Sequence, residues 1–321
     1  VHITGKNGKH KKVFMIGEKP KRDSELISFY NDERELLTNF FVWFKQIDPD
    51  IIIGWHVIGF DLLFLDNKCR ELGISLDIAR ANGRVSIRQR KPSGHFISVT
   101  GRVVIDGPTM LRASFFSFED FKLETVAQEL LGTGKTITPD ENKIEEIDRQ
   151  FREDKFALAE YNLQDAVLVT DIFSKTGLIV LSVRRAQISG LLMDQLGMMT
   201  AAFDHFYLPR LHRAGFAAPN LKDIQSNEHA AGGYVIEPTP GIYENIIVLD
   251  FKSLYPSIIQ TFKIDPYSLL MKDVDTIQTL NGYKFSASLH ILPDFIDELM
   301  KLRDIAKKKK DKQLSQAIKI L

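Results

Sequence analysis

The chain has 321 residues, 44% of them apolar, with 42 basic and 42 acidic side chains that cancel to a net charge of zero. That is enough sequence for two domains with real cores, and whole-molecule charge gives no reason to expect a polyanionic partner. One cysteine, Cys69, excludes an internal disulfide framework and a cysteine-built zinc site, which fits a reducing cytoplasm, and no apolar run is long enough for a membrane span.

In chain order, His2–Thr4 and Val13–Ile16 read as a hairpin joined by the glycine-rich turn Gly5–Gly8. Apolar residues at helical spacing (Leu36, Leu37, Phe40, Phe41, Phe44) predict a helix over Glu33–Phe44, followed by a short strand at Ile51–Ile53 and a helix over Phe60–Leu72. Arg84–Ile105 alternates around Pro92, Ser93 and Gly94 and reads as an antiparallel hairpin ending at Asp106. Phe121–Leu131 and Asp154–Phe173 are amphipathic helices, so residues 1–182 form an α/β domain.

A helical, Leu- and Met-rich stretch, Arg184–Ala214, leads into polar sequence, and residues 183–222 read as a connector. Beyond it, Asn245–Leu249 predicts a buried strand closed by Asp250, then a helix opening near Pro256, a hairpin around Asn281–Phe285, and a long helix from Pro293. Residues 223–290 and 291–321 are the expected third and fourth segments. Between Lys301 and Lys312 seven basic residues stand against two acidic ones.

Three places carry chemistry. In VLDFKSLYPSII, Val248–Ile259, a lone carboxylate closes an apolar run beside a helix start whose N–H groups suit a polyphosphate. In DIIIGWHVIGFD, Asp61 stands where strand and loop pass into a helix, suited to capping or to a metal. In YNLQD, Tyr161 and Asp165 are four residues apart on one helix face and could share a substrate.

The string Asp250 to Ile259 resembles the first palm motif of family B DNA polymerases. Asp61 and the Tyr161/Asp165 pair, in this order, resemble the second and third motifs of that family's 3′–5′ proofreading exonuclease. FKLETVAQELLG, HRAGFAAPN and the GGYV turn resemble its bacterial members.

The resemblance implies an RNase H-like exonuclease domain, a helical connector, part of an α+β palm and the first fingers helix. It implies primer-template DNA and deoxynucleoside triphosphates as partners, two Mg²⁺ or Mn²⁺ ions per complete active site, a bacterial cytoplasmic location, and a sliding clamp reached through sequence beyond Leu321. Asp250 and the carbonyl of Phe251 would bind metal. Phe251, Lys252, Ser253, Leu254 and Tyr255 would line the triphosphate, Tyr255 lying under the sugar. Asp61 and Asp165 would be exonuclease metal ligands, Tyr161 would orient the attacking water, and Phe60 would stack on the primer end. Arg303 and Lys307, spaced i, i+4, with Lys319, match the cations that hold the incoming triphosphate.

Two departures stand out. His56 occupies a position where the family has an asparagine, and the family's first exonuclease motif, an Asp-x-Glu pair, has no counterpart before Asp61. The chain opens at Val1 and closes in helical sequence, and reads as a fragment of a longer polymerase that is inactive alone. The competing readings are a stand-alone RNase H-like nuclease and a catalytically dead DNA-binding module.

Overall fold

The computed structural model describes all residues except 6–7, 19–23, 91–93, 134–142, 196–198, 224–232, 252 and 272–274. The chain divides into two compact units, Val1–Met198 with Ile320–Leu321, and Met199–Lys319. The division falls inside the stretch expected as a connector.

The first unit begins with β1 (His2–Gly5), β2 (Gly8–Lys11), β3 (Val13–Ile16) and β4 (Ile27–Tyr30). The predicted opening hairpin is corrected in its second arm: β1 pairs antiparallel with β2, whereas β3 pairs in parallel with β4, Val13 opposite Ile27. The alternation of Val13 and Met15 into the core explains the separation, because these side chains pack with Ala159 on a distant helix rather than with β1.

Helix α1 (Glu33–Ile47) starts at Asp32, whose carboxylate accepts the Glu35 N–H at 2.8 Å, while Glu35 in turn accepts the Asn31 N–H at 2.9 Å. Leu37, Phe41 and Phe44 form its buried stripe. It ends at Asp48, which is left-handed at φ 53° and donates its N–H to Phe44. Asp48 also holds the next turn in place. Its carboxylate accepts Arg80 Nε and Arg102 Nη2, each at 2.8 Å, and the buried Arg102 guanidinium lies 4.9 Å from the Phe44 ring.

Strand β5 (Ile51–Gly54) follows, then a π-type turn at Ile58–Leu62 and α2 (Leu63–Glu71). After β6 (Val85–Arg90) and β7 (Gly94–Val99) the chain enters β8 (Val103–Asp106). The predicted hairpin is β6 and β7, in register from Val85 opposite Val99 to Arg90 opposite Gly94. Its expected end is a separate strand, since β8 pairs in parallel with β5, Gly54 opposite Asp106. Buried Val104 and Ile105 give β8 its reason to sit inside the unit.

Helix α3 (Gly107–Arg112) has Asp106 as its cap and Pro108 in its first turn. Helices α4 (Leu123–Leu131), α5 (Lys143–Glu153), α6 (Lys155–Thr176) and α7 (Leu178–Ser189) complete the unit. The long α6 packs across β1, β3 and β5 as well as α4. The first unit thus mixes parallel and antiparallel ladders with covering helices.

The second unit contains α8 (Met199–Arg213), α9 (Leu254–Phe262), α10 (Pro266–Leu270), the antiparallel pair β9 (Thr276–Gln278) and β10 (Lys284–Ser286), α11 (Leu292–Lys308) and α12 (Lys312–Ile320). Its core joins Tyr207 and Leu211 to Tyr267 and Ile291, with Phe206 stacked on Phe295 at 3.9 Å. A buried polar knot fixes the turn before α10. Asp265 accepts the Tyr207 hydroxyl at 2.7 Å and the Ile291 N–H at 2.9 Å, and Tyr207 Oη accepts the Tyr267 N–H at 3.0 Å.

One predicted element is absent. Asn245–Leu249 has no strand pairing among the described residues, and its side chains face solvent, Val248 being 87% exposed. An apolar strand persists only when a neighbour takes its backbone N–H and C=O groups, and no described segment does so here.

Candidate active sites

The exonuclease candidates begin at the exit of β5. A side chain on Gly54 would put its Cβ 2.5 Å from Val57 Cβ, so the chain can turn this sharply only with glycine. Trp55 is held by its indole N–H on the Phe121 carbonyl at 2.9 Å, and the face of its ring leaves no room for a Cβ on Gly107. His56 has φ 60°, a left-handed value that Asn, Asp and His tolerate better than other side chains. Histidine therefore meets a backbone demand that asparagine would also meet.

From there the chain forms the π-type turn. Leu62 donates to the Val57 carbonyl at 2.8 Å and Phe60 to the His56 carbonyl at 3.0 Å. The wide turn pushes Phe60 out, 70% exposed, and leaves Asp61 at the surface next to it. Surrounding protein atoms raise the Asp61 pKa above the ordinary carboxylate value, its own backbone N–H opposes the shift, and the negative charge of Asp106 adds to it.

Asp106 escaped the sequence reading as anything but a strand end. Its Oδ1 accepts the Val57 N–H at 3.0 Å, and its Oδ2 accepts the Thr109 hydroxyl at 2.6 Å and the Thr109 N–H at 3.3 Å. Both oxygens are engaged in holding the β5 exit to α3. The Asp-Gly-Pro sequence, a cap followed by proline in the first turn, is the signal that marks this helix start.

Tyr161 is buried and Asp165 half-buried on α6, the helix that lies along β5. The structure thus sets the helix of Tyr161 and Asp165 against the strand that delivers Asp61.

The polymerase candidates lie in the second unit. Asp250 and Phe251 are exposed in extended chain rather than at a strand end, which corrects the expected support for Asp250. Lys252 lies outside the described residues. Ser253 is left-handed at φ 54° and gives no side-chain cap to α9, whose first turn holds Leu254 and a 79% exposed Tyr255. Helix α9 packs against α11, so the helix of Tyr255 lies beside the helix of Arg303 and Lys307. Arg303 is half-buried, Lys307 is exposed, and Lys319 is exposed on α12.

Metal binding can be judged from these groups. Among the described residues no three His, Cys, Asp or Glu side chains converge on a common point. Asp61 feels the charge of Asp106, whose oxygens are already engaged. The carboxylates among the described residues do not compose a two-ion centre.

The sequence profile described as DNA polymerase family B, exonuclease domain, matches residues 2–126, and that of DNA polymerase family B matches residues 201–318. The chain belongs to the family B DNA polymerases. DNA polymerase II of Escherichia coli is 43% identical over 320 residues, which is 96% of this chain and 41% of that protein. A DNA polymerase of Archaeoglobus fulgidus is 32% identical over 280 residues, 86% of this chain and 34% of that protein. The structure of the family B DNA polymerase from Pyrobaculum calidifontis matches with a TM-score of 0.69 at 24% identity, over 90% of this chain and 40% of that one. The family B chain therefore shares the fold of that enzyme, and spans about two fifths of the length of these relatives.

Proposed function

We propose that this chain carries part of a DNA-directed DNA polymerase with an RNase H-like 3′–5′ proofreading exonuclease, acting on primer-template DNA and deoxynucleoside triphosphates in a bacterial cytoplasm, with a sliding clamp as accessory partner. Residues 1–182 serve the exonuclease, 183–222 connect, 223–290 begin the palm and 291–321 begin the fingers. The observation that supports the reading is the packing of α9, the helix of Tyr255, on α11, the helix of Arg303 and Lys307.

The chain's own groups have distinct tasks in this reading. Guanidinium at Arg303 and ammonium groups at Lys307 and Lys319 grip a triphosphate, the first through a planar fork and the others as point charges. Tyr255 sets the sugar, and the backbone from Phe251 through Lys252, Ser253 and Leu254 follows the phosphates. In the exonuclease, Phe60 stacks on an unpaired base and His56 donates to the single strand. Tyr161 orients the attacking water, and Asp61 and Asp165 supply metal-binding oxygen.

Divalent ions such as Mg²⁺ would neutralise phosphate charge and activate the attacking oxygen. Asp250 with the Phe251 carbonyl, and Asp61 with Asp165, are the groups that would hold them. A complete ion centre needs more carboxylates than the described residues bring together, so in this reading the isolated chain is inactive as polymerase and as nuclease.

The test is kinetic. In a complete polymerase carrying these residues, Arg303→Ala and Lys307→Ala should each raise KM for deoxynucleoside triphosphate about 10- to 100-fold, the loss of one charged hydrogen bond, and spare 3′ degradation. An unchanged KM in both variants contradicts the assignment.

A further inference from the structure

We infer that the lysine turn between α11 and α12 is a docking site for the DNA phosphate backbone, separate from the triphosphate cations. The inference rests on the polymerase reading. Lys308, Lys309, Lys310 and Lys312 are all exposed, and none makes an ion pair or side-chain hydrogen bond among the described residues, whereas Lys301, two turns before Lys308, is bound to Asp297 at 2.5 Å.

Local structure does not account for these lysines. Acids at the start of α11 and cations at its end suit the helix dipole, which explains Lys308. Lys310 is different, because it is left-handed at φ 57°, where glycine or asparagine is favoured. Lys312 opens α12, and a cation at a helix start opposes the dipole; Asp311 offsets part of this by accepting the Leu314 N–H at 3.0 Å. Two of the four lysines thus stand where the fold disfavours them, and all four repel one another.

The surroundings give the patch its direction. Outside residues 301–312, the second unit has twelve acidic and eight basic side chains. A polyanion approaching this unit meets net repulsion except at the turn. Phosphate backbone, with a negative charge on every nucleotide, is the ligand chemistry that pays back four clustered ammonium groups through counterion release.

The experiment measures binding of this chain to a fluorescent dT20 strand by anisotropy across a KCl series. Replacing the four lysines (Lys308→Gln, Lys309→Gln, Lys310→Gln, Lys312→Gln) should flatten the slope of log K against log salt by about 2 to 3, at about 0.7 per lost contact on a single strand. The helical circular dichroism and melting temperature should not fall. Phe60→Ala should weaken binding without changing the slope, because stacking releases no counterions. An unchanged slope in the lysine variant together with a weakened Phe60→Ala overturns the lysine site and leaves the polymerase reading standing. No measurable binding of the unaltered chain at low salt overturns both.

Discussion

Tyr207 on α8 donates its hydroxyl to Asp265 at 2.7 Å, and both side chains are buried. The same carboxylate takes the Ile291 N–H just before α11, so one acid ties α8, α10 and α11 together. The start of the helix of Arg303 and Lys307 is thereby fixed by a residue outside it. Asp265→Ala should destabilise the unit by about 2–4 kcal/mol, because it strands the Tyr207 hydroxyl and the Ile291 N–H in the interior. Tyr207→Phe should cost about 1–3 kcal/mol, since it removes the hydroxyl that donates to Asp265 and accepts the Tyr267 N–H but leaves the carboxylate its backbone partners. Urea unfolding with an unchanged m-value checks both, and equal stability of Asp265→Ala and the unaltered chain refutes the role.

Gly54 and Gly107 should resist even alanine. A Cβ at either would press within 2.5–2.8 Å of Val57 or the Trp55 ring, so the β5 exit must shift. Gly54→Ala should cost about 1–3 kcal/mol, read from denaturant unfolding. In a complete polymerase it should reduce 3′ degradation far more than synthesis, because the turn it disturbs carries Phe60 and Asp61.

Two carboxylates should give opposite pH signatures. Hydrogen bonds from Arg80, then from Arg102, hold the Asp48 pKa below its ordinary value. Its contribution to stability is present above the unfolded pKa near 3.9 and is lost as pH falls through the depressed folded value. The protein atoms packed around the surface carboxylate of Asp61 raise its pKa, so its folded form holds the proton more tightly. Its contribution is present below the unfolded pKa and lost as pH rises through the raised one. Asp48→Asn should therefore lower the melting temperature at pH 7, a difference that shrinks as pH falls below about 4, and Asp61→Asn should raise it slightly, a difference that shrinks as pH falls toward about 4 and is gone below it. Melting curves from pH 3 to 8 decide the matter, and a difference of the same sign for both would refute the two assignments.

Helices were the readable part of this sequence. The spacing of Leu37, Phe41 and Phe44 and the cap at Asp32 are local facts, and α1 follows from them. Strand pairing was not local. Nothing near Val13 says that its partner is Ile27, and nothing near Val103 says that it lies beside Ile51. Asn245–Leu249 has the composition of a strand without a described neighbour to make it one.

Acidic residues show the same limit. Asp106 and Asp250 each close an apolar run and Asp265 precedes a proline, and composition does not separate their roles. Geometry does: Asp106 and Asp265 spend their oxygens on N–H and hydroxyl donors, while Asp250 keeps its own exposed. The apolar run before it and the resemblance of the SLYPSII string single out Asp250 in sequence, whereas the packing of the following helix, α9, on α11 is visible only in the fold.

The central claim is that Asp250 and Asp165 serve two separate reactions. It is tested most directly by measuring primer extension and 3′–5′ degradation side by side in a complete polymerase carrying these residues. Asp250→Ala should abolish extension and preserve degradation, and Asp165→Ala should preserve extension and abolish degradation. Loss of both activities from either single change, in protein that still melts cooperatively, would contradict it.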